Sequence, residues 1–232
     1  MPPLAMPRNP PEDPIKSHPT RAEQLDILAD LVADRAGAGD HVLDLGIGTG
    51  YVAGLILDRA PGIDLTGIDL KAESLDAART ALAGRVKSLD LVEGNLENLG
   101  DLAVPEGPYR AIYTVLTFHD LPDEAKAAVI RWSAERLAPG GALLILDRIR
   151  LHRPALFPLQ VALWNRIERV YGSAMRSAPD FDSYLADMGE RNRPARFEDY
   201  FEWLEDAGLA PGCLHLHGNI ALFAGMRAPA GG

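Results

Sequence analysis

The chain has 232 residues, 47% of them hydrophobic and 24% charged, with 33 acidic against 23 basic side chains and a net charge of −10. That mixture is ordinary for a globular protein and excludes a collagen-like repeat, a coiled coil or disorder throughout. The acidic excess argues against broad wrapping of nucleic acid, the lone Cys213 cannot close an internal disulfide, and no apolar run approaches the roughly 18 residues that span a bilayer. The N-terminus shows neither a charged leader nor an apolar core of the kind that directs secretion, so the expected setting is the cytoplasm, away from membranes.

In chain order, residues 1–14 contain six prolines, and residues 1–19 read as an extended or disordered arm. A helix is expected from Thr20, which pairs with Glu23 as a capping box, with Leu25, Leu28, Leu31 and Val32 on one face. Strands then alternate with helices. The strands fall at His41–Leu45, Ile63–Asp69, Leu89–Glu93, Ala111–Val115 and Ala142–Asp147, and the helices at Tyr51–Arg59, Ala72–Leu82 and Asp123–Leu137. Such alternation implies right-handed crossovers and a parallel sheet covered on both faces. Phe197, Tyr200, Phe201 and Leu204 mark a last helix that stops at Gly208. Two further strands, Cys213–His217 and Ile220–Met226, are separated only by Gly218-Asn219 and read as a hairpin. Residues 20–232 are thus expected to form a single doubly wound α/β domain. Its sheet is mostly parallel and seven-stranded, with an antiparallel C-terminal strand.

The sharpest local feature is Val42-Leu43-Asp44-Leu45-Gly46-Ile47-Gly48-Thr49-Gly50, which follows a strand and opens a helix. Glycines in this first strand-to-helix turn allow a tight bend and a close ligand approach beyond the carboxyl ends of the strands. Asp69 ends the next strand, 19 residues after Gly50, where an acid can accept both hydroxyls of a ribose. The alternative for that acid is a helix cap. The G-x-G-x-G spacing puts Tyr51 where a dinucleotide fold needs its third glycine, and the chain has no G-x-x-x-x-G-K-[ST] loop. A nucleoside without phosphates fits this turn best.

These residues resemble motif I of the class I S-adenosylmethionine (SAM) dependent methyltransferases, and the likeness runs over about 40–147. Ile68-Asp69-Leu70 resembles the acidic strand end that binds the SAM ribose, and Gly94-Asn95-Leu96-Glu97 the loop beside the adenine, with Asn95 where many members carry Asp. Tyr109–Leu121 is similar to the fourth strand and the histidine-containing turn after it, with Arg110 where Asp is common. Arg136–Gly141, followed by Leu146-Asp147, resembles the connection into the fifth strand. The resemblance implies a SAM-dependent methyltransferase whose cofactor residues are Asp44, Gly46, Gly48, Gly50, Asp69, Leu70, Asn95, Leu96 and Thr114.

Transfer from a sulfonium is an in-line displacement, in which positioning supplies most of the catalysis and a base is needed only if the acceptor must lose a proton. His119, just after the fourth strand, is the candidate base, with Asp120 a candidate to orient its ring; a turn-stabilising role is the alternative. No metal is expected. The metal-dependent catechol-type relatives of this fold place Asp-Asn after the fifth strand, whereas Asp147 is followed by Arg148, and His215 with His217 lack a third ligand.

Residues 148–196 interrupt the pattern before the last helix and hold nine Arg, no Lys and five acids, a local charge of +4. This length demands structure of its own, and Leu156, Leu159, Val161, Leu163, Trp164, Ile167, Val170 and Tyr171 read as a helix. Trp164, Tyr171 and Tyr184 either pack on the sheet or line a lid over the acceptor, for which an anionic, partly apolar small molecule would suit. RNA or protein acceptors, or a non-catalytic SAM-binding protein, are the competing readings. Against base methylation, Thr114-Val115-Leu116-Thr117 stands where a [DN]-P-P-[YFW] motif would be, with no cysteine there to attack a pyrimidine. The oligomeric state stays open, a homodimer included.

Overall fold

The structure is a computed structural model that describes residues 21–171, 178–189 and 192–231. The proline-rich arm and Thr20, the first half of the expected capping box, lie outside the described residues. In order, the elements are α1 (Arg21–Arg35), β1 (His41–Leu45), α2 (Tyr51–Leu57), β2 (Asp64–Asp69), α3 (Ala72–Leu82), β3 (Ser88–Glu93), β4 (Tyr109–Val115), α4 (Asp123–Arg136), β5 (Leu137–Arg148), α5 (Phe157–Tyr171), α6 (Phe181–Ala186), α7 (Phe197–Asp206), β6 (Ala210–His217) and β7 (Ile220–Met226). Among the described residues, no helix is long and apolar enough to cross a membrane.

The strands form one sheet in the order β3-β2-β1-β4-β5-β7-β6. The first five are parallel, and β7 enters antiparallel between β5 and β6. Strand order reverses between β1 and β4, so the crevice for a ligand opens beyond their carboxyl ends. Central strands bury both faces, which is why apolar Val42, Leu43 and Leu45 fall on both sides of β1. One face packs under α1, α2 and α3 through Leu25, Leu28, Val32, Ile56 and Leu82. The other packs under α4 and α7, where Tyr200 stacks on Phe223 with ring centroids 4.4 Å apart.

β5 begins at Leu137, ahead of the expected Ala142, and so includes Pro139-Gly140-Gly141. Leu137 pairs with Tyr109, and a register shift before the Ala111–Ala142 pair absorbs the irregular residues inside the strand.

The inserted segment leaves the sheet after β5 and carries α5 and α6. Its two ends are held side by side: Ile149 bridges Ala195, and the Arg150 N–H donates to the Ala195 carbonyl at 2.7 Å. Phe157, Trp164, Phe181 and Tyr184 form an aromatic cluster inside it, with Phe157 and Trp164 edge to face at 5.7 Å. Trp164 and Ile167 are buried. Leu159, Leu163 and Val170 on the same helix lie exposed, as does Leu156 just before it.

Candidate functional site

The glycine turn sits at the carboxyl end of β1, and its three glycines answer three different needs. Gly46 has φ +89°, and a Cβ there would stand 2.4 Å from the Thr117 hydroxyl oxygen, so the turn after β4 presses directly on it. Gly48, at φ +55°, would point a Cβ into open space. Gly50 is a packing position, where a Cβ would press on Ala78 and Leu82 of α3. The backbone is therefore bare at Gly48, where a ligand has room to approach.

Asp69 ends β2 beside this turn. One carboxylate oxygen accepts from the Gly48 N–H at 2.9 Å and the other from the Lys71 N–H at 3.0 Å. The acid is thus tied into the turn itself, and each oxygen retains a lone pair for a ligand hydroxyl. Leu70 next to it is 63% exposed, an apolar surface at the crevice edge. Asn95 accepts from the Glu97 N–H at 3.0 Å, which caps a short helical turn and leaves its amide N–H₂ uncommitted.

Three other predicted cofactor residues point inward. Leu96 is buried in the core, and Thr114, fully buried, donates its hydroxyl to the Leu45 carbonyl at 2.8 Å, joining β4 to β1 behind the turn. Asp44 is buried, and its pKa is pushed up to about 7. Burial is the main cause and the nearby Asp69 charge adds to it, while the Tyr113 hydroxyl pulls the other way. Tyr113 is the cross-strand neighbour of Asp44 and approaches it without closing a hydrogen bond of ordinary geometry. Burial pushes the Tyr113 phenol well above its usual range.

Beyond β4 the chain reverses sharply. Leu116 adopts φ +52°, a conformation that costs a branched residue about 1–2 kcal/mol. Its N–H is held by the Leu146 carbonyl at 2.8 Å. The reversal sets Thr117 against Gly46 and turns His119 toward β5. There the His119 N–H donates to one oxygen of Asp147 at 2.9 Å, and its ring Nδ1 lies 2.7 Å from the other. The Asp147 side chain is wholly buried. With the Asp147 carboxylate as acceptor, the ring donates from Nδ1, and Nε2 is the nitrogen left for another partner. Asp120, the expected orienting acid, lies 3.7 Å from Nε2, beyond hydrogen-bond reach, because its side chain projects outward from the turn while Asp147 ends the neighbouring strand.

Asp147 and His119 stand 28 residues apart in the chain and meet because β4 and β5 are neighbours, which brings together the side chains at their carboxyl ends. The Arg193 N–H donates to the His119 carbonyl at 2.6 Å, its guanidinium to the Asp120 carbonyl at 2.9 Å, and its own carbonyl accepts from the buried Lys126 at 2.6 Å. The end of the insertion therefore clamps the histidine turn.

Trp164 is buried in the aromatic cluster, and the Tyr184 hydroxyl accepts from the Leu151 N–H at 3.0 Å. Burial raises the Tyr184 pKa. The Tyr171 side chain lies outside the described residues. Among the described residues, no group of three or more His, Cys, Asp or Glu is arranged to hold a metal ion.

A glycine turn at the strand-order reversal, a ribose-competent acid at the next strand tip and a closing antiparallel strand define a class I methyltransferase fold. Residues 42–141 match the methyltransferase domain family model. Over that span the chain carries the features of a class I SAM-dependent methyltransferase domain. It is similar to the carboxy-S-adenosyl-L-methionine synthase of Chromohalobacter salexigens, 33% identical over 126 residues that cover 52% of this chain and 45% of that protein. It is also similar to the demethylmenaquinone methyltransferase of Thermus thermophilus, 30% identical over 118 residues, 51% of this chain and 50% of that protein. A ribosomal RNA small subunit methyltransferase C of Pseudomonas aeruginosa matches 51% of this chain at 28% identity. The chain spans about half or less of the length of these relatives. Among solved structures, an O-methyltransferase family protein from Burkholderia thailandensis superposes with a TM-score of 0.66 and 23% identity over 90% of this chain and 56% of that one.

The residues present fit SAM. The bare backbone at Gly48 and the remaining lone pairs of Asp69 suit a ribose, and exposed Leu70 offers an apolar contact beside it.

Proposed function

We propose that the chain methylates a small-molecule acceptor whose attacking atom gives up a proton, with His119 as the general base. The carrying observation is the His119–Asp147 pair: an imidazole held by a buried carboxylate, one turn from the glycine loop that Thr117 touches. SAM, when bound, supplies an electrophilic methyl group on its sulfonium. Gly48, Asp69 and Leu70 hold the nucleoside, and Asn95 flanks the base. Asp147 fixes the imidazole tautomer and stabilises the positive ring after His119 Nε2 takes the acceptor proton. Arg193 and Lys126 keep the histidine turn from relaxing. Positioning contributes most of the rate, on the order of 7–11 kcal/mol in favourable cases, and the base adds roughly 10²–10⁴-fold.

Small-molecule acceptors are favoured by the net charge of −10 and by the inserted segment with its own aromatic core beside the site. Relatives of both kinds exist, so the test must include both. Methyl transfer from labelled SAM is to be measured on a metabolite extract, on RNA and on protein fractions, with Asp69→Ala as control. Label in the metabolite fraction, lost with Asp69→Ala, supports the reading. Label confined to RNA or protein, or no SAM binding by calorimetry, overturns it.

A further inference from the structure

A cavity of about 240 Å³ lies at the root of the insertion, between the chain leaving β5 and the start of α7. Its walls are of two kinds. Ile149, Leu156, Phe157 and Phe197 make an apolar side, while Arg150, His152 and Arg153 make a basic one. The Arg150 and Arg153 guanidinium groups close no ion pair with another described residue. Two acids stand at this edge: Asp199 is engaged by Arg196, and Glu198 lies 3.8 Å from the His152 ring. Gln160, also in the wall, is 8% exposed, and its amide nitrogen has no hydrogen-bond partner among the described residues. Two guanidinium groups that close no ion pair with a described residue thus stand against apolar walls, with Asp199 near enough for the Arg150 charge to lower its pKa.

We infer that this cavity binds the carboxylate of a monoanionic acceptor with an aromatic or alkyl body, an assignment that rests on the small-molecule reading above. The guanidinium fork matches a carboxylate in two parallel hydrogen bonds, and the apolar wall takes the body. Glu198 and Asp199 at the edge disfavour a dianion, which selects a carboxylate over a phosphate. Arg150 lies three residues beyond Asp147, at most about 10 Å of chain, so the basic wall and the histidine turn belong to the same end of β5.

The test is calorimetric titration of the full chain, loaded with S-adenosylhomocysteine, with 3-phenylpropanoate and octanoate, each against its neutral amide. At least one carboxylate should bind about tenfold or more tightly than its amide, the effect of a single charge-assisted hydrogen bond or more. Arg150→Gln with Arg153→Gln should erase that preference while S-adenosylhomocysteine affinity stays unchanged. Equal binding of acid and amide, unaltered preference in the double variant, or no binding of either acid overturns the assignment while leaving the methyltransferase reading intact. Failure of S-adenosylhomocysteine itself to bind overturns that reading, and the assignment with it.

Discussion

Asp147 grips His119 at two points, the backbone N–H at 2.9 Å and the ring Nδ1 at 2.7 Å. A merely structural acid would need only the first. On the reading proposed above, the second contact leaves Nε2 as the ring atom that takes the acceptor proton.

Asp147→Asn should therefore lower kcat by roughly 10²-fold or more while SAM affinity moves less than about threefold. The pH dependence of kcat should change with it, since the amide no longer supports a charged ring. His119→Gln should give a similar kcat without that pH limb. Steady-state kinetics across pH, beside SAM calorimetry, check both, and equal losses in kcat and SAM affinity would show a role in the fold alone.

The glycine turn separates two effects that its sequence pattern merges. Gly48→Ala puts a methyl into the open approach, so SAM affinity should fall tenfold or more, about 1.4 kcal/mol, while its φ of +55° costs the fold about 1 kcal/mol. Gly46→Val drives a side chain into Thr117 and must also hold φ +89°, so the protein itself should lose stability, by about 2 kcal/mol or more. Thermal melts with and without S-adenosylhomocysteine distinguish the two; equal melting temperatures would refute the distinction.

Asp44 gives a pH signature. Its pKa is about 7 in the fold against an ordinary 3.8, mainly through burial. Between those values the folded chain keeps a proton that the unfolded chain releases, so stability is full below the lower value, falls as pH rises through the window and levels off above it. Asp44→Asn should flatten that slope, which for one group is at most about 1.4 kcal/mol per pH unit. Denaturant midpoints between about pH 4 and 8 provide the measurement, and an unchanged slope in the variant would reject the assignment.

Tyr184→Phe removes the acceptor of the Leu151 N–H and should loosen the segment that carries Arg150 and Arg153. An unpaired backbone donor there costs about 1–3 kcal/mol. The acceptor KM should rise several-fold with the SAM dissociation constant nearly fixed. A matched loss of SAM affinity would place Tyr184 in the cofactor site instead.

Local pattern reveals some parts of this molecule and not others. The strand His41–Leu45, the helix Ala72–Leu82 and the strand Ile220–Met226 have the bounds their apolar pattern implies, because each is continuous and ends at a turn residue. Gly46, Gly48 and Asp69 are legible because a positive φ and a strand-tip acid leave local signatures. Thr114 and Leu96 lie on the expected elements, but their side chains face inward, since nothing in one strand's composition fixes which neighbour it will meet. The Asp147–His119 and Arg193–His119 contacts join distant stretches and depend on strand order, which composition does not carry.

Because Ile149 and Ala195 are paired, the insertion departs from and rejoins the sheet at neighbouring points. A segment anchored in this way behaves as a cassette: it can be lengthened, shortened or exchanged between chains without re-threading the strands that carry the methyl-donor loop. The clamp that Arg193 places on the histidine turn restricts such exchange. Divergence along this scaffold should therefore run through the cassette, with new acceptors arising by replacement of residues 150–192 while Arg193 and the glycine loop stay in register.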